Sequence, residues 1–191
     1  MTDSQNAALA AYEEALQRAS TALAAHDTDA AFAALDDALV AQPGSAVPHF
    51  LRAAEFARTG RIDDAENAFT LALVQDPSLH IARFQLGLLH LTSGKPAHAI
   101  LAWQGLDALP ETHALRLFAK GLAQLAQDRF DEARDALERG MRANTDNAAL
   151  NADMNKVIEK IAALTSEQPG HEEPSESNHF LVSGYGKQTL H

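Results

Sequence analysis

An all-α stack of helix pairs is the fold class this sequence predicts, and three observations predict it. Alanine recurs at one fixed interval, as Ala31, Ala65, Ala99 and Ala133, each 34 residues after the last. Four positions beyond each alanine stands a large apolar residue: Leu35, Phe69, Trp103 and Leu137. Helix breakers share the register, with Gly60 and Gly94 inside a unit and Pro43 and Pro77 at its end. A fixed period of this length marks a repeat architecture, an α-solenoid in which each helix–turn–helix unit buries its apolar face on its neighbours.

Taken in order, a helix over 4–25 opens the chain, capped by Asp3 or Ser4, with Leu9, Tyr12, Leu16 and Leu23 among alanines. Four units follow, 12–45, 46–79, 80–113 and 114–147. The recurring alanine lies where the two helices of a unit come closest, and the large residue after it fills the space between units. Three positions further on come Ala38, Ala72, Leu106 and Gly140. Second helices open with acids, Asp29, Asp63-Asp64 and Asp131-Glu132, which complement the helix macrodipole. Pro96 opens the third, where its missing N–H costs nothing. Glycine permits the left-handed turn inside a unit. His26 and Asp128 hold that place in units one and four. Proline stops the second helix. In unit three it comes one residue early, as Pro110, and in unit four Thr145 replaces it.

Beyond the units, Leu150, Met154, Val157, Ile158 and Ile161 recur at helical spacing. They predict a helix over 148–164 that covers the apolar side of the last unit, so that 1–164 form one domain. Residues 165–191 read as a flexible tail. Ser166–Asn178 lacks large apolar residues and is rich in Pro, Gly, Ser and Glu. An apolar segment follows, with Phe180, Leu181, Val182 and Tyr185. It is expected to dock on this chain's helices or on a second copy, since exposure of such a cluster is costly.

Unit three also carries Leu86-Gly87, and weaker forms of that pair appear as Lys120-Gly121 and Arg52-Ala53. With the alanines, the glycines and the prolines, the chain resembles the tetratricopeptide-repeat (TPR) family over roughly residues 12–147. The resemblance implies a concave groove lined by the first helix of each unit. Its second positions are Glu13, Val47, Ile81 and Leu115, and its fifth Leu16, Phe50, Phe84 and Phe118. Its ninth are Ser20, Ala54, Leu88 and Leu122, and its twelfth Leu23, Ala57, Leu91 and Leu125. The apolar groove expected in units two to four is therefore Val47, Phe50, Ile81, Phe84, Leu88, Leu91, Leu115, Phe118, Leu122 and Leu125, with the three phenylalanines as anchors. The competing expectation is that those rings pack inside the stack. Co-chaperones of the family grip a C-terminal carboxylate with Lys, Asn and Arg; here the corresponding residues are Leu16, Ser20, Leu51, Ile81 and Gln85, which excludes that clamp. The groove is more similar to that of TPR chaperones which hold apolar client segments, such as the translocator chaperones of bacterial secretion systems. Some positions depart from the pattern. Arg18, Arg52 and Lys120 occupy a place that is normally apolar, and His49 and Arg83 the usual Trp place. Either their stems snorkel outward or the first helices are rotated.

Composition narrows the function. A formal net charge of −11 disfavours nucleic acid. No cysteine is present, which excludes thiolate chemistry and suits a reducing compartment. The opening Met1-Thr2-Asp3-Ser4 has no signal-peptide pattern, and no apolar run is long enough to span a bilayer; a cytoplasmic protein is expected. His80, His90, His98 and His113 fall in unit three without ligand spacing. No phosphate loop or nucleophile elbow occurs. No metal, no cofactor and no enzymatic activity are expected. The sequence predicts an adaptor or chaperone that binds an apolar peptide of a protein partner. The alternative is a self-assembling scaffold, joined through tail or terminal helices.

Overall fold

Turn chemistry sets where each helix stops. The backbone takes the left-handed conformation at His26 (φ 58°), Gly60 (77°), Gly94 (73°) and Asp128 (58°), four positions in the 34-residue register. Glycine adopts this conformation freely and other residues at a cost. The computed structural model of the protein describes residues 3–167, and Phe180, Leu181, Val182 and Tyr185 lie outside them. Among the described residues are nine α-helices, one 3-10 turn and no strand. They are α1 (Asp3–Ala24), α2 (Thr28–Ala41), α3 (Ala46–Arg58), α4 (Ile62–Gln75), α5 (His80–Thr92), α6 (Pro96–Gln104), η1 (Gly105–Ala108), α7 (Ala114–Leu125), α8 (Phe130–Ala143) and α9 (Ala148–Glu167). The last helix runs three residues past the expected 164. The chain divides between Ala82 and Arg83 into two compact units.

In the first unit α1 packs on α2 and α3 on α4. Alanines make these crossings close: Ala15, Ala19, Ala31, Ala53, Ala65 and Ala72 are fully buried. Leu35 and Phe69 supply the larger volume. The Asp27 side chain caps α2 by accepting from the Ala30 amide at 3.0 Å. Glu55 on α3 is buried and satisfied. It accepts from Arg58 Nε at 2.7 Å and Nη2 at 2.6 Å, and from the Thr28 hydroxyl at the start of α2. Those Arg58 hydrogen bonds hold its carboxyl below the ordinary value, against the opposing effect of burial.

The basic residues at the apolar register snorkel. Arg18 reaches Asp37 at 2.9 Å. Arg52 pairs with Asp36, donates to the Phe32 carbonyl at 3.5 Å, and lays its guanidinium 5.7 Å from the Phe32 ring centre.

In the second unit α7 packs on α8, and α9 on α8. Phe84, Leu106, Phe118, Leu122, Leu137, Met154 and Ile161 are its buried bulk. Gly87 makes room for the Trp103 indole, whose Nε1 donates to the Phe84 carbonyl at 3.0 Å. Gly140 does the same for the Phe118 ring, which would lie 2.5 Å from any added Cβ. Where unit four lacks its proline, amides close the α8–α9 turn instead. Asn144 Nδ2 donates to the Asn147 carbonyl at 2.7 Å, and Asn151 Nδ2 to the Asn144 carbonyl at 3.0 Å.

Candidate peptide-binding surfaces

Positions two, five, nine and twelve of a helix fall on one face, because successive residues turn by about 100°. Depth along that face is what the structure adds. In the first unit Val47 is 39% exposed and Phe50 half-buried, its ring 6.2 Å from that of Phe69. Ile81 at the start of α5 is also half-buried. In the second unit Leu88 and Leu115 are half-buried, whereas Leu91, Leu122 and Leu125 are buried. Phe84 (1% exposed) and Phe118 (0%) offer no accessible ring. They pack instead inside the unit: Phe84 stacks 6.3 Å from Trp103 and lies tilted 6.3 Å from Phe118, ring centre to ring centre. Two of the three expected anchors therefore hold the unit together, and only Phe50 keeps an open edge. The cause is the small residue opposite. Gly140 leaves a hole that the Phe118 ring fills.

A second feature was not foreseen from the sequence. Helix α6 ends after nine residues, where α2, α4 and α8 each run for fourteen. The chain leaves it through Gly105 into η1, and the Arg83 side chain lies over that glycine. Between α6, η1, α7 and α8 a cleft of about 380 Å³ remains. Its floor is apolar, with Trp103, Leu106, Leu117 and Ala119 buried. Its rim is polar: Gln104, Asp107, Glu111, Lys120 and Arg139 line it and are exposed. Arg116 at the edge donates to the Leu109 carbonyl at 2.6 Å and faces Asp107 at 3.6 Å and Glu111 at 3.9 Å. Two sequence signals point to this place, Lys120 in an apolar register and the early Pro110.

Among the described residues no group of three or more His, Cys, Asp or Glu side chains converges as a metal site would require. No described helix is long and apolar enough to cross a membrane.

The sequence matches no protein-family model and no curated protein. Solved structures do resemble the fold. PilF of Pseudomonas aeruginosa shares 20% identity at a TM-score of 0.63, over 87% of this chain and 80% of that one. PilW, described as a widely conserved type IV pilus biogenesis factor, shares 18% identity at a TM-score of 0.61, over 94% and 88%. A MamA fragment from Desulfovibrio magneticus RS-1 shares 14% identity at a TM-score of 0.58, over 89% and 99%. These are TPR proteins, and the all-α fold described above is of the TPR type.

Proposed function

We propose that the chain is a non-enzymatic protein-interaction adaptor that holds an apolar peptide segment of a partner on the first helices of its repeats. The observation that carries this is that apolar side chains stay partly open on the first-helix face within each unit, Val47 and Phe50 in the first and Leu88 and Leu115 in the second. Such residues supply contact area at little cost in side-chain entropy, and a backing of buried rings keeps the second unit's surface stiff. The fold supports the same reading, since repeats of this kind present extended binding surfaces. Absence of cysteine favours a cytoplasmic setting. Calorimetric titration of blocked Leu- and Phe-rich peptides into the parent, Phe50→Ala and Leu115→Ala tests it. Affinity should fall by about three- to thirtyfold for each variant, as loss of a half-buried apolar contact implies. Unchanged affinity in both would refute the surface.

A scaffold that joins copies of itself is the second reading. It is favoured by Val40 (82% exposed) and Val74 (69%), one repeat apart on α2 and α4, with Leu71 beside Val74 on the latter. Light scattering across a wide concentration range decides it: a strict monomer rules the scaffold out.

A further inference from the structure

Among the described residues, one cation on the rim of the α6–α8 cleft has no counter-charge. Lys120 makes no hydrogen bond or ion pair with the described residues. Arg116 already faces Asp107 and Glu111, and Arg139 has Asp135 at 3.4 Å. The chain itself shows what Lys120 lacks. Two repeats earlier, 68 residues back in the register, stands Arg52. Its partners there are the carboxylate of Asp36 and the ring of Phe32. The residues at those places beside Lys120 are Gln104 and Ile100, and both line the cleft. A neutral amide has replaced the acid and a smaller side chain the ring. The shortened α6 leaves the space open above Trp103 and Leu117.

We propose that this cleft docks a partner peptide that presents a carboxylate beside a large apolar side chain. The carboxylate meets Lys120 and Arg139 at the rim, and the apolar group enters over Trp103 and Leu117. Charge complementarity selects the acid: in a chain of net charge −11, an uncompensated ammonium above an apolar floor attracts an anionic segment locally. The cleft volume suits one or two side chains, not a whole helix. On α7 the residues concerned, Arg116, Lys120 and Ala123, lie a little over a third of a turn from the face of Leu115, Phe118 and Leu122. The site is thus independent of the first-helix surface, and Phe50→Ala leaves it untouched.

Trp103, the single tryptophan, reports on the cleft directly. The full chain is titrated with the blocked peptide Gly-Phe-Glu-Leu-Gly and with its Gln counterpart, following Trp103 emission. A saturable change is expected, with the Glu peptide bound about three- to fivefold more tightly than the Gln peptide at low salt. Lys120→Gln should abolish that preference and Lys120→Arg should keep it. Lys120 is exposed, so both variants should fold, and circular dichroism checks this. No saturable change, equal binding of the two peptides, or a preference that survives in Lys120→Gln would each overturn the proposal. A peptide of residues 172–185, with Glu172, Glu173 and Glu176 before Phe180, is titrated beside them. If it binds more than about tenfold more tightly, the cleft serves this chain's own segment and the external partner is refuted.

Discussion

A single methyl group added at Gly87 tests how the second unit is packed. A Cβ there would lie 2.0 Å from Trp103 Nε1, 2.4 Å from Cε2 and 2.5 Å from Cδ1, far inside contact distance. The indole has no easy retreat. It is buried, and its N–H is committed to the Phe84 carbonyl at 3.0 Å. Overpacking of this kind costs about 1–3 kcal/mol. Displacing the ring also breaks the hydrogen bond, worth about 0.5–1.5 kcal/mol. Alanine offsets part of this, because inside a helix it is favoured over glycine by about 1 kcal/mol. Gly87→Ala should therefore lose about 1–3 kcal/mol, or several degrees of melting temperature in a chain of this length. Urea unfolding followed by far-ultraviolet circular dichroism measures the loss, and Trp103 emission should shift with it. Gly44→Ala is the control, since no atom lies within 4 Å of a Cβ there. Gly87→Ala at or above the parent's stability would show that the indole does not rest on Gly87.

Three further outcomes are expected. Ala65→Leu and Ala99→Leu should each lose about 1–3 kcal/mol, because both alanines are fully buried at close crossings, while Ala24→Leu, exposed at the end of α1, should not. Equal melting temperatures for the three would refute the repeat register. Glu55 has a lowered folded pKa, so its stabilisation is fully present above the ordinary glutamate range and is lost as pH falls through the lowered value. Melting temperature should accordingly fall more steeply on acidification in the parent than in Glu55→Gln, and parallel curves would count against the Thr28–Glu55–Arg58 cluster. Met154→Ala removes a fully buried side chain of α9 and should cost about 2–5 kcal/mol; a loss under half a kcal/mol would show that α9 does not seal the second unit.

The helix pairs are legible in the sequence because their geometry depends on small residues at fixed places. Ala31, Ala65, Ala99 and Ala133 are all fully buried, and the four left-handed turns fall at the four positions the register marks. The fate of the basic residues needs tertiary partners to decide. Arg18 and Arg52 find Asp37 and Asp36, which lie far away in the chain. The binding face is less legible. Periodicity assigns Phe50, Phe84 and Phe118 to one face but is silent on depth, which depends on what stands opposite. Gly140 admits the Phe118 ring, and Phe84 is closed in between that ring and Trp103. The cleft is harder still to foresee, because it arises from a helix that stops early, and Lys120 and the early Pro110 mark the place without showing the space that opens there.

That early stop also governs how the second unit breathes. Helix α6 has nine residues, of which Ala99 and Trp103 are buried, whereas α8 has fourteen with four buried. Pro96 carries no N–H and the next three amides have no partner inside the helix, so only about five of the eight amides of α6 can be held by its own ladder. An element with a short ladder and few buried side chains opens at a lower free energy than longer neighbours in the same unit. Amide exchange should therefore be faster in α6 than in α7 and α8. Trp103 belongs to α6, so the cleft would deform on that side, indole included, while Leu117 and Ala119 on α7 hold their places.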